Sequence, residues 1–237
     1  MVKRIVGIGL IVFVFGLVGE RSLLTGLVRK SLLDALAREA QVAEEIELEI
    51  APLGLLDLLN GQVGEFSFTA TRFGFAGGPV FTNVSLHSEG MHFDPDALLQ
   101  KEFIIRELRK TGMTLELPEA ELTTMMRRDL PELEPTVFLE ENRVELEGFL
   151  VLFGQGRLPF RASATLEKAS DRSLRLTPLG LKVAGVPLWA ELFQKYAQEI
   201  SWEFPLEIPW PVRLRHFQVA PGVIKMEWQE VGEEDHK

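Results

Sequence analysis

The chain opens on Lys3-Arg4 and then Ile5–Val18, a run of 14 residues with no charged or polar side chain; charge resumes at Glu20-Arg21. A basic start followed by an apolar run is how chains enter a bilayer or an export channel. The run is shorter than the roughly 20 residues that span the hydrocarbon core. Gly16-Leu-Val-Gly19 matches poorly the small-residue pattern of a cleavage site. Residues 1–21 therefore read as a signal anchor or a signal peptide. Both readings place the rest of the chain outside the cytoplasm. Residues 22–45 predict a connecting amphipathic helix: Leu23, Leu24, Leu27, Val28, Leu32, Leu33, Leu36 and Ala40 recur at three and four, with Arg29, Lys30 and Arg38 on the other side.

Beyond that helix the period falls to two. Ile46–Ala51 alternates as a first strand, and Pro52–Gly61 predicts a short Leu-rich helix that starts at Pro and stops at Asn-Gly. Gln62–Ala76 and Val80–Phe93 form a long hairpin about Gly77-Gly78-Pro79. The apolar phase of its first strand switches at Thr71-Arg72, which predicts a bulge or bend. Asp94-Pro-Asp caps a short helical stretch through Leu99. Glu102–Leu117 is ambiguous between helix and strand. Pro118–Arg128 reads as a helix with acids at its start and Arg127-Arg128 at its end. Strands follow at Val137–Glu140, Arg143–Phe153, Leu158–Lys168 and Ser173–Leu176, and Pro178–Pro187 is extended. A second amphipathic helix covers Pro187–Ser201. Trp202–Ile208, Arg213–Val219 and Val223–Trp228 complete the sheet. Short turns between most strands mean antiparallel pairing. The expected fold is α+β: a long antiparallel sheet with helices against it over residues 46–229, and an acidic tail at 230–237.

Composition narrows the function classes. The net charge is −10, with 35 acids against 25 bases, which argues against nucleic-acid binding. The absence of cysteine removes disulfides, thiolate metal sites, lipoprotein acylation and a thiol nucleophile together. No nucleophile elbow, phosphate-binding loop or dinucleotide fingerprint occurs, and no cofactor is expected. His87, Glu89, His92, Asp94 and Asp96 are the one local group of metal-ligand types, but a regular strand would point His87 and His92 to opposite faces. Glu145 and Glu147 alternate with Val144 and Leu146, as a solvated sheet face does. Asn83-Val-Ser85 matches the glycosylation pattern in mid-strand.

The remaining signal is phenylalanine in the strands. Arg143–Phe153 ends apolar on both faces, with Phe149, Val151 and Phe153 on one side and Leu150 and Leu152 on the other. Protein or a lipid-like ligand must cover the second face. Several segments match in order and spacing a known family. They are Leu53-Gly-Leu-Leu-Asp-Leu-Leu-Asn, Val84-Ser-Leu-His-Ser-Glu-Gly-Met after the Gly-Gly-Pro turn, Leu117-Pro-Glu-Ala-Glu-Leu-Thr and Asn142-Arg-Val-Glu-Leu-Glu-Gly. Two more follow, from Leu174-Arg-Leu-Thr-Pro-Leu-Gly to Val-Pro-Leu188 and at Leu214-Arg-His-Phe-Gln-Val-Ala-Pro-Gly-Val-Ile. In these the chain resembles the LmeA family of bacterial phospholipid-binding proteins, while its charged Arg106–Lys110 segment and its N-terminus depart from that pattern. The resemblance implies a curved sheet wrapped around helices with an apolar tunnel. It also implies a non-catalytic, membrane-associated phospholipid-binding or lipid-transfer role in the cell envelope. Phe66, Phe68, Phe73, Phe75, Phe149, Val151 and Phe153 are the candidate lining. Trp189, Trp202 and Trp210 are candidates for a membrane-facing edge. The competing reading is a tethered structural or interaction domain with a filled core.

Overall fold

The computed structural model describes residues 23–38, 40–100, 104–152, 156–187, 201–208 and 210–231. The first helix, α1, covers 23–38. It buries Val28, Leu32 and Leu36, spaced at four, as the sequence predicts. Each such side chain contributes about 1.5–3 kcal/mol of burial. The helix is shorter than expected, because Ala40–Glu44 leaves it as a strand, β1. Tertiary pairing overrides helical periodicity here. β1 and β2 (Glu47–Ile50) both lie along β4 (Phe66–Phe75), β1 beside 72–75 and β2 beside 66–69. Together they cover an edge whose N–H and C=O groups would otherwise stand unpaired. The corner between them is Glu45, at φ 50°, and its carboxylate accepts from the Thr71 hydroxyl at 2.6 Å.

The remaining elements follow the predicted order. They are α2 (Leu55–Leu59), β3 (Gln62–Val63), β5 (Val80–Phe93), α3 (Pro95–Leu99), β6 (Ile105–Pro118), α4 (Glu119–Asp129) and a 3-10 turn at Pro131–Leu133. Then come β7 (Thr136–Glu140), β8 (Arg143–Leu152), β9 (Gly156–Ser170), β10 (Ser173–Val183) and β11 (Val186–Pro187). β12 (Trp202–Pro205), β13 (Val212–Ala220) and β14 (Val223–Glu230) complete the set. The ambiguous segment before α4 is strand. The extended Pro178–Pro187 continues β10 and turns at Ala184-Gly185 into β11. The predicted helix over 187–201 and the acidic tail lie mostly outside the described residues.

All pairings are antiparallel, as expected, but the strands divide between two sheets. The larger runs β1-β4-β5-β6-β14-β13, with β2 on β4 and β3 on β5; the smaller runs β11-β10-β9-β8-β7, with β12 on β10. One continuous core joins α1, the first sheet (Phe68, Leu86, Met113, Met226) and the second (Leu146, Ala162, Leu174). Backbone bonds stitch the sheets at one end. Gly222 donates to Leu139 at 3.0 Å and Asn142 to Val219 at 3.1 Å.

Helix α4 closes the exposed edge of β7. Its residues 119, 123 and 127 share one face, one turn apart. The Val137 N–H donates to Thr123 Oγ1 (3.0 Å), and the Leu139 N–H to Glu119 Oε2 (2.5 Å). The third rung is reversed: Arg127 Nε donates to the Pro135 carbonyl at 2.7 Å. Four helical residues rise about 6 Å and two strand residues about 6.6 Å, so helix and strand stay in step over three rungs.

The first sheet bends twice, and both bends are visible as phase switches in burial. On β5 the buried positions are 81, then 84, 86 and 88, then 91 and 93. The first switch falls at Asn83 (φ 49°), where the β5–β6 register slips between Thr82 and Ser85. The β4–β5 ladder keeps its register past Thr71-Arg72, so the predicted irregularity belongs to the β5–β6 pair. The second bend lies at Gly90 opposite Arg109, next to Lys110 at φ 45°. Two buried hydroxyls meet there. The single Ser88 hydroxyl proton is shared between the carbonyls of Gly90 and Arg109 (2.8 and 3.0 Å), and Thr111 Oγ1 donates to Ser88 Oγ at 2.9 Å. They satisfy backbone groups that the bend removes from the ladder.

This second bend corrects one expectation. With the phase reversed between them, His87 and His92 both face away from the core. They still form no metal site. His92 Nδ1 lies 2.9 Å from Glu107 Oε2, and no metal-binding group of three His, Cys, Asp or Glu occurs among the described residues.

Candidate functional site: an apolar groove beside an aromatic cluster

Strand β4 sends Phe66, Phe68 and Phe73 into the core, 2%, 0% and 1% exposed, and Phe75 lies at its edge at 7%. The 68-to-73 change of phase brings Phe68, Phe73 and Phe75 together about Trp210. The Phe68–Phe73 centroids are 5.3 Å apart, edge to face; Phe73–Phe75 are at 4.9 Å and Phe75–Trp210 at 5.5 Å, likewise edge to face. Such geometries place the positive ring edge on the negative face. Trp210 and Trp202 are both 6% exposed, so neither forms the membrane-facing edge expected of it. Trp202 stacks on Phe204 at 4.5 Å and donates from Nε1 to Asp129. Trp189 lies outside the described residues.

The described residues outline no apolar tunnel. An open groove of about 620 Å³ lies instead at the rim of the aromatic cluster, lined by Arg38, Phe75, Ala76, Arg172, Pro205, Leu206, Glu207 and Ile208. Each wall has a clear origin. Phe75 ends β4 and Ala76 opens the turn through Gly77-Gly78. Leu206 and Ile208 are held in an irregular segment after β12, where the Leu206 N–H donates to the Arg172 carbonyl at 2.8 Å. The Arg172 guanidinium donates to the Trp210 carbonyl at 2.8 Å and to Ile208 at 3.4 Å. It thus ties the β9–β10 turn to the groove wall. Arg38 ends α1 at the rim. The groove combines an apolar floor with two cations, Arg38 and Arg172, and one carboxylate, Glu207, at its edge, and its volume is that of a small-molecule site.

A larger recess, about 760 Å³, lies on the outer face of the second sheet. Its walls include Glu145, Glu147, Arg161 and Lys182, with Phe138 and Leu179 between them. Two ion pairs form across it, Arg143 with Glu145 at 2.5 Å and Arg161 with Glu147, and Glu140 and Lys182 balance the remaining charge. It is a solvated, self-neutralised face, and we favour the smaller, apolar groove as the ligand site despite its size.

The predicted lining residues therefore fall on two surfaces. Phe66, Phe68, Phe73 and Phe75 are in or beside the core between the sheets. Phe149 alternates with the buried Val144 and Leu146 and so points outward, 40% exposed, under the Arg157 guanidinium at 4.8 Å. Val151 of β8 pairs with Arg157 of β9; its side chain, like Phe153 as a whole, lies outside what is described. Of the five candidates whose side chains are described, Phe75 alone lines the groove. Arg38, Arg172, Leu206 and Ile208 were not singled out from sequence, since they come from three segments far apart in the chain.

The shifted carboxyls lie in surface ion pairs. Arg106 beside Asp94 holds that carboxyl below its usual range, helped by the N–H groups of Ala97 and Asp96. Arg175 and Ser173 do the same for Glu203, and Arg109 for Glu107. None of these groups lines the groove, and nothing there resembles an acid–base pair.

No curated protein and no solved structure matches the chain. A family model does match, over residues 19–227, which takes in both sheets, α1 and the whole groove: the chain belongs to the LmeA-like phospholipid-binding family.

Proposed function

We propose that this protein is a non-catalytic phospholipid-binding or lipid-transfer protein of the bacterial cell envelope, membrane-associated, with residues beyond the N-terminal segment outside the cytoplasm. The groove beside Phe75 carries the reading. An acyl chain lies along Phe75, Leu206 and Ile208, where each buried methylene contributes about 0.8 kcal/mol. The phosphate sits at the rim near Arg38, where a guanidinium gives a charge-assisted contact. Phe75 forms the inner wall, and the buried Phe68 and Phe73 back it from the core. Phe66 packs in the core behind them, and Phe149, Val151 and Phe153 would give lipid a second apolar contact, separate from the groove.

Membership in a phospholipid-binding family supports the ligand class. The basic-then-apolar start of the chain supports the location; no helix among the described residues is long and apolar enough to cross a membrane, and residues 1–21 lie outside them. The second reading is a tethered interaction domain. It is favoured by the dense packing of Phe66, Phe68 and Phe73 in the core.

The test is Ala76→Trp, a substitution at an exposed groove position. Filling the groove lowers uptake of a fluorescent phospholipid from vesicles by about tenfold or more, while the unfolding midpoint stays unchanged. Unchanged uptake would remove the groove as the site. For the location, a protease added outside intact cells stripped of outer layers should cut the domain; full protection would place it on the cytoplasmic side.

A further inference from the structure

Helix α2 is unusual for a soluble surface. Four of its five residues are leucine, and none is buried. Leu55, Leu56 and Leu59 are 50%, 74% and 64% exposed. Leu23 and Leu27, on the first turns of α1, are 77% and 51% exposed. The segment entering α2 is tied to α1: the Leu53 N–H donates to Thr25 Oγ1 at 2.9 Å. The end of α2 runs into the same region as Ile104, 48% exposed. Gly61 accepts from the Phe93 N–H at 2.8 Å, and the Ile104 carbonyl accepts from the Asp94 N–H at 2.9 Å. Six large apolar side chains are thus exposed at one end of the molecule. Arg29 and Lys30 follow on the exposed side of α1.

The geometry points to this leucine end as the surface that docks on a lipid bilayer. The inference rests on the reading of Ile5–Val18 as a membrane-inserting run. Leu23 follows Val18 by only five positions, a stretch of at most about 17 Å even fully extended. An inserted run therefore holds the patch against the membrane surface. Exposed leucines beside cations are what an interfacial helix presents to the boundary between headgroups and acyl chains, where burial is about 5–10 Å deep. The docked orientation has a consequence for the groove. Leu23 and Arg38 stand at the two ends of α1, about 22 Å apart along its axis at 1.5 Å per residue. The patch is at the membrane and the rim of the groove is held away from it. The domain thus offers its ligand site to the space beyond the bilayer rather than opening it into the leaflet below.

The chain has no cysteine, so a single introduced thiol labels one place. The full-length protein is reconstituted in phosphatidylcholine vesicles with an environment-sensitive fluorophore at Leu56→Cys. A control carries it at Lys225→Cys, which pairs with Glu116 at the other end of β6 from Ile104. Leu56 is 74% exposed, so labelling spares the core. Docking predicts a blue-shifted emission at position 56 and several-fold stronger quenching by brominated acyl chains than at position 225. Equal, weak quenching at both positions would overturn the proposal. So would a blue shift at 56 without lipid quenching, since that means protein, such as residues 5–18 folded back, covers the patch. The readout is independent of ligand binding in the groove, so it can succeed or fail separately from the proposed function.

Discussion

Gly148 shows how tightly single positions are set. A Cβ there would lie 2.4 Å from the Leu133 carbonyl and 2.6 Å from the Phe160 ring, because the 3-10 turn after α4 crosses the sheet at that point. Gly148→Ala is expected to cost about 1–3 kcal/mol, as overpacking does, read as a lower urea midpoint at constant m-value. Phe75 is the one groove residue that strand periodicity singled out. Its partners were not legible, because Arg38, Arg172, Leu206 and Ile208 acquire a shared role only when α1, the β9–β10 turn and the segment after β12 meet. The tryptophans misled for a related reason. An amphipathic ring suits an interface or a core equally, and only the contact of Trp210 with Phe68, Phe73 and Phe75 decides for the core.

At the scale of elements, the three-rung contact between α4 and β7 makes a specific claim. Thr123→Val keeps the shape but leaves the Val137 N–H without its acceptor, and a part-buried donor so abandoned costs about 1–3 kcal/mol. Thr123→Ser should be nearly neutral. Equal losses in the two variants, measured by chemical denaturation, would show that packing rather than the hydrogen bond matters there. α1 is likewise part of the domain and not a mere linker: removing residues 1–30 takes away Val28 and the Thr25–Leu53 bond, and should lower the melting temperature. Most strands and turns were legible, since alternation and Gly- or Asn-containing turns are local signals. The boundary at Ala40 was not, because β1 exists only by pairing with β4. The paired bends of β4, β5 and β6 were half legible. A phase switch in β4 announced one, but its cause is Asn83 on the neighbouring strand.

For the whole molecule, charge sets the response to acid. Asp94, Glu107, Asp171 and Glu203 all have their carboxyls held below the ordinary values by hydrogen bonds from cationic neighbours. As pH falls, the unfolded chain takes up protons at these groups first. Their stabilisation is therefore complete above about pH 5 and is lost progressively below about 4.5. The melting temperature should be flat from pH 7 to 5 as far as these groups act, and fall below that. Asp94→Asn should reduce the slope of the fall. The pairs are exposed, so each contribution is small and salt weakens it.

The central claim is that this fold carries phospholipid, and native mass spectrometry of the full-length protein, taken from its own membrane in mild detergent, tests it directly. A phospholipid carrier gives a folded species with phospholipid bound, and Ala76→Trp loses that lipid without unfolding. A folded protein that carries no lipid, and takes none up from vesicles, would contradict that claim and leave the tethered interaction domain as the better description.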